Sequence, residues 1–296
     1  PIIGGAETKK ANGNLEFDGN KGLSFEYTYL NLPKKIGTLS VVYDALGRKL
    51  HKNGEFGMVE YLEGFEFRNG QLEAIYTPDG RIVPYDDPTG QSTFRAEYWR
   101  KDHLGNMRLA FSDFSQDGVI AIKDDPATPQ DELEITQEVH YYPFGMEQQG
   151  NWYATVTPEN KYLYNGKELN RDYDINLYEY GARWYDPAIG RFTGVDPIAD
   201  QFPWVSTYNY AENEPVNNVD LHGLQAVSAE IAMDRDVKDY VEGRIDDKEY
   251  WARAQARFQG GVAGLGGVGL GGLIKRGVQS LFGWAVLNPV TAVESA

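Results

Sequence analysis

One short pattern recurs through the first half of the chain: an aromatic segment, an Asp-x-x-Gly turn and a second strand-like segment. It occurs in "VVYDALGRKL" at residues 41–50, "PYDDPTGQSTF" at residues 84–94 and "YWRKDHLGNMRLAF" at residues 98–111. The aspartate accepts hydrogen bonds from the turn backbone, and the glycine three residues later takes the left-handed conformation that reverses the chain. Each unit therefore predicts a β-hairpin.

A single hairpin buries little apolar surface, so hairpins of this kind must stack on their neighbours. The chain of 296 residues also holds 20 Tyr, 13 Phe, 6 Trp and 33 Gly, which suits many short aromatic strands joined by tight turns. We therefore expect a mainly β protein in which residues 1–165 form an extended, curved antiparallel sheet.

The charge and the missing residue types exclude several classes of function. With 44 acidic and 28 basic residues the net charge is −16, which would repel a phosphate backbone, so nucleic acid is not expected as a partner of the sheet region. The absence of cysteine removes disulfides, thiolate nucleophiles and Cys-based metal sites. The four histidines are not spaced as metal ligands usually are, so we expect no metal and no cofactor. These histidines are His51, His103, His140 and His222.

The pattern changes after Leu224. Apolar residues take helical spacing, which predicts helices at residues 226–242 and 247–258, and two uncharged runs follow at residues 258–274 and 277–293. The "GLGGVG" at residues 264–269 has the spacing of a dinucleotide loop, but it follows a predicted helix and not a strand, which argues against that function. Two readings of residues 260–293 stay open: an apolar segment covered inside a shell, or one that contacts a membrane on release.

Several longer motifs carry a resemblance to a known family. They run in order through three quarters of the chain: "YLNLPKKI" at 29–36, "YDALGRKL" at 43–50, "YLEGFEFRNGQL" at 61–72, "KDHLGNMRLAFSD" at 101–113, "HYYPFGM" at 140–146, "KYLYNGKEL" at 161–169, "LYEYGARWYDPAIGRFTGVDP" at 177–197 and "STYNYAENEPVNNVDLHG" at 206–223. With these motifs the chain resembles the C-terminal end of an RHS/YD-repeat core, in the form found in Bacteroidetes polymorphic toxins.

The resemblance implies a fold and a division of the chain. YD-repeat hairpins at 1–165 would spiral into part of a hollow shell, a β-cocoon. Residues 166–224 would curl inward as a plug with a self-cleavage region, and residues 225–296 would be a helical, Gly-rich pre-toxin or the start of a toxin.

The resemblance also implies a secreted or cell-surface protein that encapsulates its own C-terminal toxin segment, with an immunity protein and secretion machinery as further partners. The first residues do not have the charged and then apolar pattern of a leader, so we expect no signal peptide in this numbering. The alternative is a cell-surface structural or adhesive YD-repeat protein without an effector.

The resemblance also implies a self-cleavage site, and with it an intramolecular aspartic protease. Asp196 and Asp220 match the family's two aspartates, Arg191 of "GRF" matches its arginine, and the scissile bond would follow Leu224. Such chemistry needs two carboxylates that share one proton. Leu221 stands where the family has proline. The alternative role for Asp220 is structural, since "DLHG" is itself an Asp-x-x-Gly turn.

The aromatic residues of "LYEYGARWYDPAIGRF" predict one buried face. Tyr178, Tyr180, Trp184, Tyr185 and Phe192 should pack inward, because they alternate with charged residues such as Glu179 and Arg183.

Overall fold

The computed structural model describes residues 5–86, 90–121, 134–150 and 159–228. Its largest element is an antiparallel sheet of thirteen strands that pair strictly in chain order. The strands are β1 (Thr8–Lys9), β2 (Leu15–Asp18), β3 (Leu23–Tyr27), β4 (Pro33–Ile36), β5 (Leu39–Tyr43), β6 (Lys49–Gly54), β7 (Gly57–Leu62), β8 (Phe65–Arg68), β9 (Gln71–Thr77), β10 (Gly80–Asp86), β11 (Ser92–Lys101), β12 (Met107–Phe111) and β13 (Ile135–Glu138). This order confirms the predicted series of hairpins.

Two of the predicted Asp-x-x-Gly turns are confirmed in detail. In the turn between β5 and β6, the Gly47 amide donates to the Asp44 carbonyl at 3.1 Å, and Asp44 Oδ1 accepts the Leu46 amide at 2.8 Å. The turn between β11 and β12 repeats this arrangement, with Gly105 donating to the Asp102 carbonyl at 2.9 Å. The third predicted turn, at 87–90, has its first three residues outside the described part of the chain.

The region after β13 forms two small sheets and several tight turns. A four-stranded antiparallel sheet contains β14 (Glu168–Asn170), β15 (Leu177–Glu179), β16 (Trp184–Asp186) and β17 (Arg191–Phe192), and a two-stranded sheet contains β18 (Asn218–Leu221) and β19 (Gln225–Ser228). The helices among the described residues are 3₁₀ turns of three residues each, at Tyr164–Gly166, Asp172–Asp174, Ala199–Gln201 and Ala211–Asn213. No helix in this part of the chain has the length and hydrophobicity needed to cross a bilayer.

The four-stranded sheet is buried on both faces. Tyr178 and Tyr185 belong to one hydrophobic cluster with Met107 and Ala110 of β12. Their strand neighbours Leu177 and Trp184 point to the opposite face and join a second cluster, whose other members come from β2 to β5 and residue 175; they are Leu15, Phe25, Ile36, Leu39, Val41 and Ile175. The two ends of the long sheet therefore cover opposite faces of the small one, as in a shell rolled around a plug.

This packing confirms one prediction about the aromatic residues and corrects another. All five predicted rings are buried, at 0 to 3% exposure. The expected single apolar face is wrong, because Arg183 is also buried, at 3% exposure. The reason is that Arg183 lies in the turn between β15 and β16, and these two strands have protein on both sides.

The prediction that a helix begins at residue 226 is wrong. Residues 226–228 lie in β19, where Ala226 pairs with Asp220 and Ser228 with Asn218. The turn at residues 222–224 brings this segment back along β18, and strand pairing overrides its helical spacing. The remainder of both predicted helices and the apolar segment 260–293 lie outside the described residues.

Candidate functional site

The last hairpin carries Asp220 and Leu224 into the interior. Asp220 lies in β18 opposite Ala226 of β19, and both Asp220 and Leu224 are buried. The connecting turn takes two left-handed residues in succession, His222 with φ 58° and Gly223 with φ 72°. These angles turn the chain sharply between Asp220 and Leu224, so the predicted scissile region sits beside the carboxylate that was expected to act on it.

Asp196 approaches the same place from a separate turn. Its backbone amide donates to the Thr207 carbonyl at 2.9 Å, and its Oδ1 accepts the Ile198 amide at 3.0 Å. The Ala199 amide closes the turn on the Asp196 carbonyl at 3.1 Å. Asp196 is therefore held by backbone on both sides, with Oδ2 left to meet other groups.

Arg183 joins the two carboxylates. Its Nη2 lies 3.0 Å from Asp196 Oδ2 and 3.6 Å from Asp220 Oδ2. Its Nε donates to the Gly223 carbonyl at 2.5 Å, and its guanidinium lies 3.8 Å from the centre of the Phe192 ring. Because both carboxylates contact one nitrogen, the separation of their Oδ2 atoms cannot exceed the sum of their two distances from Nη2. The structure thus brings Asp196, Asp220 and the turn before Leu224 together.

The arginine at this point is not the one expected from the sequence. Arg191 is exposed in β17, where it pairs with Asp186 of β16. The neighbouring Phe192 is buried beside Arg183, and successive side chains of a strand point to opposite faces, so Arg191 faces away from the carboxylates. Arg183 was missed because it was interpreted as a residue of an exposed face.

Burial controls the charge of the pair. It raises the pKa of Asp220 to about 7, and the nearby Asp196 carboxylate adds to the rise, while Arg183 and the Leu224 backbone amide oppose it. Burial also raises the pKa of Asp196, against the attraction of Arg183. Asp220 Oδ1 has no hydrogen-bond partner among the described residues. Asp220 therefore titrates near neutral pH, where its protonated and ionised forms are both populated. Two close carboxyl groups that share one proton in this way can carry out acid–base catalysis.

His222 lies within the same turn but is not a proton carrier near neutral pH. Burial, helped by Lys167, lowers its pKa to about 3, so the imidazole is neutral. Its carbonyl accepts the Ala182 amide at 3.0 Å, which fixes the turn against the residue before Arg183. His222 therefore has a structural part in the site.

A cavity of about 120 Å³ adjoins Asp196. Arg183 and Asp196 line it together with the amide side chains of Asn12, Asn14 and Asn31. A buried water needs roughly 10–15 Å³ of such space and two to four polar partners, so this cavity can hold several waters next to Asp196. Among the residues that the structure describes, no three His, Asp or Glu side chains are grouped so that they could hold a metal ion.

Comparisons with known proteins identify the fold. No family model matches the chain. Toxin subunit YenC1 of Yersinia entomophaga is 26% identical over 214 residues, which are 70% of this chain and 20% of that protein. Salivary gland surface protein 1 of Aedes aegypti is 43% identical over 67 residues, 23% of this chain and 2% of that protein.

Solved structures with a similar fold come from Tc toxins. A crystal structure of TcdB2-TccC3-Cdc42 matches 73% of this chain with a TM-score of 0.56 at 21% identity, and a Photorhabdus luminescens Tc holotoxin pore matches 74% with a TM-score of 0.52 at 19% identity. The chain spans 11% of each of those chains. The sequential antiparallel sheet and the inward plug thus have the fold of an RHS-type shell, the architecture of these Tc toxin components.

Proposed function

We propose that this chain is the shell-and-plug portion of a secreted RHS polymorphic toxin, which encloses and delivers a C-terminal effector and cuts itself after Leu224. In this proposal residues 1–165 are shell, residues 166–224 are plug and cleavage region, and residues 225–296 begin the enclosed segment. The similarity to toxin subunit YenC1 and to Tc toxin structures supports the toxin part of the proposal. Bacteroidetes origin, a position at the C-terminal end of the core, an immunity partner and release of residues 260–293 onto membranes rest on the sequence resemblance.

The observation that carries the self-cleavage is the meeting of two buried carboxylates on one arginine beside the Gly223–Leu224 turn. Asp196 and Asp220 contact the same Arg183 nitrogen at 3.0 and 3.6 Å. A turn-forming aspartate needs neither a second carboxylate nor a pKa of about 7. These features are costly in a folded protein and concentrate at catalytic sites.

The chemistry follows from the two protonation states. Ionised Asp196 takes a proton from a cavity water as the water oxygen attacks the Leu224 carbonyl carbon, and neutral Asp220 gives its proton to the carbonyl oxygen. Collapse of the resulting diol breaks the bond to the Gln225 nitrogen. Asp196 gives its newly acquired proton to this nitrogen as it leaves, and Asp220 takes a proton back from the diol hydroxyl, which restores both carboxyl groups. Arg183 holds the Gly223 carbonyl and so fixes the chain just before the reacting bond.

Intact mass of the denatured protein tests the proposal. Unaltered protein should give two fragments that meet at the Leu224–Gln225 bond, whereas Asp196→Asn and Asp220→Asn should each give one intact chain, because an amide cannot exchange the proton. Asp102→Asn is the matched control, since Asp102 begins an Asp-x-x-Gly turn of the long sheet, and it should still be cut. Unaltered protein that stays intact would overturn the self-cleavage.

Arginine variants distinguish the two candidate residues. Arg183→Gln should slow cleavage by about 100-fold or more, as expected when a charged group that orients reacting atoms is lost. Arg183→Lys keeps the charge and should recover part of the rate even if the Gln variant folds poorly. Arg191→Gln should be cut like the unaltered protein, because Arg191 is exposed in β17.

A surface protein without an effector is the second candidate. The 43% identity to Salivary gland surface protein 1 favours it, although over 67 residues only. Expression of the full-length protein in its own host, followed by fractionation, separates the two: an uncut chain kept on the cell surface supports the surface protein, and a cut, secreted chain supports the toxin.

A further inference from the structure

The turn at residues 10–14, between β1 and β2, packs on the segment that leads into Asp196. We name it the first-hairpin turn. Asn14 Oδ1 accepts the Val195 amide at 3.3 Å, and the amide of Leu15, the next residue, donates to the Thr193 carbonyl at 2.8 Å. Tyr208, from the chain that follows Asp196, donates its hydroxyl to the Gly13 carbonyl at 2.6 Å. The turn is thus bonded to both sides of Asp196, although Asn14 and Val195 are 181 residues apart.

Gly13 allows this close approach. Its φ is +85°, and a Cβ placed on it would lie 2.5 Å from Val195 Cγ2 and 3.0 Å from the Tyr208 hydroxyl. Any larger residue here must push the turn away from Val195, the residue directly before Asp196. The contact therefore transmits a displacement of the turn through Val195 to the next residue, Asp196.

The asparagine amides hold Asn14 in the orientation that this contact needs. Asn14 is 3% exposed, and both its amide nitrogen and that of Asn12 donate to Asn31 Oδ1, at 3.1 and 2.9 Å. With its nitrogen engaged, Asn14 directs its oxygen to the Val195 amide. The same amides line the cavity next to Asp196 and Arg183.

We propose that the first-hairpin turn positions Asp196, so that the carboxylate pair becomes active only after this hairpin of the shell has closed on the plug. The inference rests on the proposed self-cleavage and goes beyond it by making shell closure the event that starts it. Asn14 and Gly13 are positioning residues, since they act through the backbone of Val195. Cleavage would then follow enclosure of the segment beyond Leu224.

A pair of glycine variants tests this in the full-length chain. Gly13 and Gly22 lie in consecutive turns, and both are left-handed, with φ +85° and +66°. An alanine at either position adds a methyl group, but only at Gly22 does this group have no other atom within 4 Å. Both should lose similar backbone stability. In a time course of in vitro translation analysed on denaturing gels, Gly13→Ala should be cut about 100-fold more slowly, the usual cost of an ångström-scale misplacement of a catalytic group. Gly22→Ala should be cut at the unaltered rate.

A second-site variant separates positioning from general damage. Val195→Ala removes the methyl group that the new Cβ would meet, so Gly13→Ala/Val195→Ala should recover most of the rate, while Val195→Ala alone should be cut normally. Equal rates for Gly13→Ala and Gly22→Ala, with Asp196→Asn uncut, would overturn the positioning role and leave the self-cleavage standing. If the unaltered protein is also uncut, both proposals fail.

Discussion

Arg183 and Asp220 show how burial gives residues properties that their type alone does not carry. Both side chains are almost fully enclosed, at 2 and 3% exposure. Burial lowers the pKa of Arg183, although the charges of the two aspartates act in the opposite direction. Burial also raises the pKa of Asp220 to about 7. An aspartate in an exposed Asp-x-x-Gly turn is ionised at neutral pH, whereas Asp220 titrates near pH 7.

The raised pKa of Asp220 predicts a specific pH dependence of stability. Between about pH 4 and pH 7 the folded protein holds a proton on Asp220 that the unfolded chain releases, so Asp220 makes the protein less stable as pH rises through this window. Asp220→Asn removes that loss. With Asp196→Asn in both proteins, so that neither is cut, urea denaturation should show the Asp220→Asn chain gaining stability relative to its parent between pH 4 and pH 8. The gain should stay below about 4 kcal/mol, the value of the full pKa shift of Asp220, because Asp196→Asn removes one of the charges that raise this pKa. Parallel stability curves would contradict the assignment.

At the scale of elements, the last hairpin depends on Gly223. Its φ is +72°, and an added Cβ would lie 3.1 Å from the Arg183 nitrogen and 3.2 Å from Tyr180 Cβ. Gly70, in the turn between β8 and β9, has φ +79° and open space around it. The two glycines therefore separate the cost of a left-handed residue from the cost of a close contact.

We expect Gly223→Ala to be the more harmful of these two changes. In both variants the strained backbone should lower the free energy of unfolding by about 1 kcal/mol. Gly223→Ala should lower it by about 1–3 kcal/mol more, because backbone atoms around Arg183 must move. Urea midpoints measured in the Asp196→Asn background give the comparison. Equal midpoints would mean that the hairpin is not packed against Arg183 in solution.

At the scale of the whole molecule, buried charges join shell and plug. Glu168 of β14 is 2% exposed and accepts a hydrogen bond from Lys49 of β6 at 2.5 Å and one from the Tyr61 hydroxyl of β7 at 2.9 Å. Lys52 and Lys161 lie 3.2 and 3.4 Å away. Burial by itself raises the pKa of Glu168, but the three lysines outweigh it and hold the pKa well below its usual range.

Removing this central charge should loosen the plug. Glu168→Gln leaves the buried lysines short of one negative charge and should lower the free energy of unfolding by roughly 3 kcal/mol. Glu26→Gln is the control, since the Glu26–Lys34 pair is 3.6 Å apart and half exposed, and it should change stability by less than about 1 kcal/mol. Denaturation of both variants in the Asp196→Asn background measures the difference. A Glu168→Gln protein as stable as the control would remove this link between shell and plug.

The hairpin turns and the inward aromatic rings were predictable because each depends on residues close together in the chain. An aspartate and a glycine three positions apart determine the turns at Asp44 and Asp102, and an aromatic strand must be covered. These features follow from short-range backbone geometry and hydrophobicity. The pairing of Asp196 with Asp220, by contrast, was implied only by the resemblance to the RHS/YD-repeat family.

Only the tertiary structure decided which charges are buried and what they meet. Arg183 and Arg191 each directly precede an aromatic residue in the sequence, but Arg183 lies in the turn before β16 and is buried, whereas Arg191 lies in β17 and is exposed. Which of the two is buried depends on the layers that cover the plug. The Lys49–Glu168 and Asn14–Val195 contacts join residues 119 and 181 positions apart. No periodicity carries such pairings, because they arise when the long sheet rolls around the plug and brings distant strands together. The sequence alone therefore determined the hairpins, and the closure of the shell determined the site.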